Sequence, residues 1–86
     1  MPPSSWPPWW DWDLELNLHV LVRMLDRRFT ETDLREMLQD ASELRPAAEP
    51  GRWRISTRRG TRRWVVIVEP DSMTRTVVII TAYPLD

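Results

Sequence analysis

Six residues of this 86-residue chain carry side chains that could do proton-transfer and phosphate chemistry, and they occur in three pairs. His19 and Arg23 are four apart, the spacing that shares one face of a helix. Arg54 and Arg58 share the polar side of an alternating segment, so on a strand they project to one face. Thr81 and Tyr83 are two apart at the end of the β-branched run Val77 to Ile80, and on a strand they also share a face. The set offers one imidazole, fixed positive charge and two hydroxyls. That inventory suits cleavage of RNA without a metal: the 2′-hydroxyl attacks its own phosphate, a His moves the proton, Arg neutralises the charge that develops, and a Thr or Tyr hydroxyl binds a phosphate oxygen or protonates the leaving group. Each pair also has a purely structural reading. A His at a helix start can cap, arginines on a helix can be a solvated face, arginines around a hairpin can blunt edge pairing, and a Tyr beside Pro can simply pack on a sheet.

The elements that would position these residues follow from pattern. Trp12, Leu14, Leu16 and Leu18 alternate with Asp13, Glu15 and Asn17, which predicts a half-buried strand. His19 to Arg28 predicts a helix with Leu21, Met24 and Leu25 as its buried stripe. Thr30 is an N-cap with Asp33 at N3 and Phe29 placed to staple onto Leu34. A second helix then runs to about Ala41, with Leu34, Met37, Leu38 and Ala41 as its apolar face and a Glu31–Arg35 pair on its surface. Ser42 to Gly51 reads as a connector. Trp53, Ile55 and Thr57 alternate with Arg52, Arg54, Ser56 and Arg58 in a strand, followed by a tight turn at Arg59-Gly60. Arg62 to Glu69 is apolar on both faces from Trp64 to Val68, as a central strand would be. A turn over Glu69 to Ser72 with Pro at its second position leads into the last strand, which Pro84 ends. The expected fold is α+β: two short helices packed on one face of a mainly antiparallel four-stranded sheet, in the order β-α-α-β-β-β.

Length and composition bound the rest. Residues 12–86 form a single domain, with no room for a second. Residues 1–11 form an arm: the first ten residues hold four of the eight prolines and three of the six tryptophans, so the arm is expected to be extended and docked on an apolar surface, its own or another chain's. The chain has no cysteine and one histidine, which excludes a disulfide framework and a cysteine-ligated metal; neither a metal nor a cofactor is expected. No apolar run reaches membrane length and no signal-like segment opens the chain, so the expected location is the cytoplasm. Charge is uneven. Residues 1–51 hold five arginines against ten acids (net −5), and residues 52–86 hold seven against three (net +4). A basic half is the electrostatic condition for an anionic partner, here RNA.

The ordered set of His19, Arg23 and Arg27 (H-x3-R-x3-R), then Thr30, Asp33 and Leu34, then Gly51 to Trp53, then a closing strand with Thr81 and Tyr83 (T-x-Y), resembles a family of small bacterial domains. That family is similar to the barnase–EndoU–colicin–RelE superfold, which includes metal-independent ribonuclease toxins. The resemblance spans roughly residues 12 to 85. It implies a toxin-like endoribonuclease in which His19 is a general acid or base, Arg23 and Arg58 hold phosphate, and Thr81 and Tyr83 position or protonate the scissile group. Arg54 is the other candidate for the second-strand basic residue, and Arg27, Arg54, Arg59 and Arg62 are expected to bind RNA. It also implies an antitoxin or immunity protein as partner. Two departures stand out: Arg28 replaces the small residue, often Gly, that many such domains have there, and the Trp-Pro arm lies outside the pattern. A different class of function is a non-catalytic module that binds protein or RNA through the basic hairpin or the arm. Because two strands are apolar on both faces, the sheet face away from the helices should need a cover, from the arm, a second copy in a homodimer or an inhibitor.

Overall fold

The computed structural model describes residues 6–26 and 30–85, with backbone only at Leu25. Its elements are a 3-10 turn (Pro8–Asp11), β1 (Asp13–Leu16), α1 (Leu18–Asp26), α2 (Glu31–Gln39), β2 (Glu43–Pro46), β3 (Trp53–Arg59), β4 (Arg62–Asp71) and β5 (Thr76–Pro84). The strands form one five-stranded sheet in the order β1-β5-β4-β3-β2. β5, β4, β3 and β2 pair antiparallel, whereas β1 runs parallel to β5. The class is α+β with two helices. The sheet, however, has five strands, not four, and is mixed, with one of its four pairings parallel. β1 can be parallel because the helices and three strands that separate it from β5 provide the long crossover that parallel pairing requires. The additional strand, β2, forms inside the expected connector, where Leu44 pairs with Ile55 and packs on the core.

Both helices pack on one face. Val20 and Met24 of α1 and Leu34 and Met37 of α2 meet Ile55, Trp64, Val66, Val68, Val77, Ile79 and Ala82 of the sheet in a single core. α2 starts as its sequence dictates. Thr30 and Asp33 form a reciprocal capping box, with Thr30 Oγ1 accepting from the Asp33 N–H and Asp33 Oδ2 accepting from the Thr30 N–H. Each of these bonds satisfies a backbone donor that helix geometry leaves without a partner. The Thr57 hydroxyl, buried on β3, donates to the Met37 carbonyl and ties α2 to the sheet. In α1 the buried pair is Val20 and Met24, one turn apart, whereas Leu21 is 42% exposed. The stripe is therefore rotated from the expected Leu21, Met24, Leu25. Asn17 caps the helix through the Val20 N–H and sets that phase. The Leu25 side chain, Arg27, Arg28 and the Phe29 staple lie outside the described residues.

Two boundaries also differ. β4 continues through Pro70 to Asp71, and the turn falls at Ser72–Arg75, where Asp71 Oδ1 accepts from the Met73 and Thr74 N–H groups and Arg75 takes a positive φ of 54°. Pro84 is still paired with Trp64, and Leu85 donates to the Arg63 carbonyl, so the ladder runs past the proline.

The described part of the arm, residues 6–11, docks in cis. Trp6, Trp9, Trp10 and Trp12 are half-buried against the core, Trp9 lies 6.0 Å from Trp53, and Trp6 and Trp10 meet edge-to-face at 4.4 Å. Its prolines do not prevent a helical turn at Pro8–Asp11, because proline at the start of a helix has no intrahelical donor to lose. Among the described residues no helix is long and apolar enough to cross a membrane.

Candidate nucleic-acid interface

The two faces of the sheet differ in chemistry, and strand register shows how. Trp64, Val66 and Val68 of β4 enter the core under the helices. The residues that alternate with them, Arg63, Val65, Ile67 and Glu69, therefore face outward. Cross-strand pairing extends this outer face row by row. Arg45, Arg54, Ile67 and Thr81 form one row, and Glu43, Ser56, Val65 and Tyr83 form the next. Arg58 and Arg63 pair one row further on. The register thus brings Arg54, Arg58, Thr81 and Tyr83 together on one face. With strands about 4.8 Å apart, Arg54 and Thr81 are separated by about 10 Å of backbone, with Ile67 between them.

Thr81 and Tyr83 reach this face through a β-bulge. Val68 pairs with Ile79 and Ile67 pairs with Thr81, so Ile80 is an extra residue in β5. Val77 and Ile79 are buried under the helices, and uninterrupted alternation would place Thr81 and Tyr83 there too. The bulge shifts the alternation by one residue: Ala82 enters the core, and Thr81 and Tyr83 turn outward. Val65, in the row with Tyr83, is completely buried although no helix covers this side. Arg54 and Arg58 are exposed, and among the described residues neither has an ion-pair partner. The arginines therefore flank an apolar centre on a surface that neither α1 nor α2 covers, a combination suited to an anion that also offers flat apolar surface, such as the phosphates and bases of a single strand.

The other residues expected in a site fall elsewhere. His19 and Arg23 are exposed on α1, the helix whose Val20 and Met24 pack on the opposite face of the sheet. They contact each other, with Arg23 Nε donating to His19 Nε2 at 3.2 Å. α1 begins at Leu18, just after β1 ends level with Ile79, so its first turn stands at the same end of the sheet as Thr81 and Tyr83. Arg59 and Arg62 pair across the hairpin on the helix side, where Arg59 approaches Asp33 of α2 at 3.6 Å. Arg27 lies outside the described residues.

Sequence reading overlooked Arg63 and Arg45 as members of the outer face. Arg63 depends on the turn, which falls at Gly60-Thr61 and not at the expected Arg59-Gly60; this two-residue loop sets Arg58 opposite Arg63. Arg45 depends on the short strand β2.

A cavity of about 200 Å³ lies between the arm and α2 and is lined by Trp9, Trp10, Trp12, Arg35, Leu38 and Gln39 among others. It is on the helix side and none of the six residues singled out in the sequence lines it. Among the described residues, no group of three or more His, Cys, Asp or Glu is arranged to hold a metal ion. No protein-family model, curated protein or solved structure matches the chain.

Proposed function

We propose that the protein binds RNA on the outer face of its sheet and cleaves it as an endoribonuclease, without a metal. The observation that carries this reading is the convergence of Arg54, Arg58, Thr81 and Tyr83 on one face that no helix covers. In the proposed reaction the 2′-oxygen attacks phosphorus and the bond to the 5′-oxygen breaks, leaving a 2′,3′-cyclic phosphate and a 5′-hydroxyl. Arg58 and Arg54 neutralise the non-bridging oxygens, where negative charge builds up in the transition state. Thr81 donates a hydrogen bond to one of those oxygens. Tyr83 protonates the leaving 5′-oxygen, and His19, once Arg23 releases its Nε2, accepts the 2′-hydroxyl proton. As the resemblance implies, such an activity would be toxin-like, and an antitoxin or immunity protein would be the partner that restrains it.

A specific observation favours a second reading, RNA binding without cleavage: His19 is held by Arg23 on the helix that packs on the opposite face. The test compares wild type, Tyr83→Phe and His19→Ala for binding to a labelled single-stranded RNA and for release of its cyclic-phosphate product. Cleavage that falls about 100-fold or more in both variants while binding holds supports the nuclease, since proton transfer contributes on that scale. Binding by all three with no product supports the binding module. A wild-type protein that neither binds nor cleaves RNA overturns both.

A further inference from the structure

The outer face is polarised from corner to corner, beyond what RNA binding requires. Arg54 and Arg58 stand on β3, toward the hairpin end, whereas Asp13 and Glu15 stand on β1 at the opposite flank and the opposite end. Asp13 and Glu15 belong to the same face as the arginines, because their row partners Thr76 and Val78 pair in turn with Asp71 and Glu69 of β4, which face outward. Among the described residues none of these four charges has an ion-pair partner. The remaining charges do not cancel the pattern. Glu43 at the basic corner is held by Arg45, and Arg52 near the acidic end is held between Glu49 and Glu69. Between the corners lie half-buried Ile67, Val78 and Ile80.

We infer that this face closes on a second copy of the chain. A surface with opposite charges at opposite corners is complementary to itself. A two-fold axis lying in the plane of the face, between the corners, sets the Arg54–Arg58 corner of each copy on the Asp13–Glu15 corner of the other. It also stacks the two apolar centres. Such an axis crosses the strands of the two sheets steeply, which is one of the two ways in which sheets pack face to face. An isologous contact of this kind closes as a dimer and does not propagate. Its strength comes largely from charge, so it is salt-sensitive. The same contact covers the surface assigned above to RNA, so RNA and the second copy compete for it.

The test is sedimentation of the full chain without RNA at about 50 mM and about 500 mM NaCl, with two charge-reversed variants, Arg54→Glu/Arg58→Glu and Asp13→Arg/Glu15→Arg. The expected results are a wild-type dimer weakened about tenfold or more by the added salt, each variant alone weakened by at least the same factor, and an equimolar mixture of the two that recovers dimer. Recovery in the mixture also shows that both variants fold. A wild-type protein that stays monomeric at low salt overturns the inference. So does a dimer indifferent to both reversals, or one lost only with Leu21→Glu on the exposed flank of α1. Because RNA is absent, failure of the dimer leaves the RNA reading intact, and failure of RNA binding leaves the dimer intact.

Discussion

Replacing Arg54 and Arg58 together by glutamine should change how RNA affinity depends on salt, and by an amount that the outer face sets. Three arginines, Arg54, Arg58 and Arg63, stand on that face in addition to Arg45, which Glu43 holds. Each phosphate neutralised on a single strand contributes about 0.7 to the slope of log affinity against log salt. Three contacts give a slope of about −2, so a rise from about 50 to about 200 mM NaCl weakens binding by about 18-fold. With Arg54 and Arg58 gone, one contact remains, the slope falls to about −0.7, and the same rise costs only about 2.5-fold. Glutamine keeps a similar polar stem, and both positions are exposed, so the fold should be unaffected. The assay is fluorescence anisotropy of a labelled single-stranded oligoribonucleotide titrated at four or more salt concentrations. A double variant that keeps the wild-type slope would refute the placement of the RNA backbone on this face, even if its affinity dropped. A parallel Arg59→Gln variant should leave the slope unchanged, since Arg59 is turned toward Asp33 on the helix side.

Leu34→Ala should destabilise the fold by about 3 kcal/mol, because the side chain is fully buried between α2 and the sheet and its removal leaves a cavity; urea unfolding followed by tryptophan fluorescence measures this. Trp9→Ala should cost about 1–2 kcal/mol, less than a core indole, because Trp9 is only half-buried against Trp53 and the core, and a loss of stability too small to detect would mean that the arm does not dock. Deleting Ile80 should give a regular β4–β5 ladder in which Thr81 still opposes Ile67 and Tyr83 still opposes Val65; the variant should fold and bind RNA, and an unfolded product would show that the bulge is needed for more than register.

The two helices, the capping box at Thr30, the β3–β4 hairpin and the central place of β4 could all be read from local signals. Those signals are short-range: a cap and its N3 partner, a period of 3.6, a period of 2, and a glycine at the hairpin turn, where Gly60 takes a positive φ of 64°. β2 was not legible because Glu43–Pro46 carries only one half-buried apolar residue, Leu44, and becomes a strand by pairing with β3. The phase of α1 was not legible either. Leu21 and Val20 are both good core residues by type, and which one turns inward depends on how the helix leaves β1.

The candidate site divides in the same way. Sequence alone determined that Arg54 and Arg58 share a face and that Thr81 and Tyr83 share a face, because alternation along a strand is a property of the backbone. It could not determine which face either pair occupies, or that the two pairs occupy the same one. Counted from Val77 and Ile79, Thr81 and Tyr83 fall on the core side. Only the extra residue at Ile80, fixed by the pairing of β5 with β4, turns them outward to join the arginines. Register between strands is a long-range choice, set by which arrangement buries Ile79 and Ala82 together beneath the helices, and no local spacing encodes it.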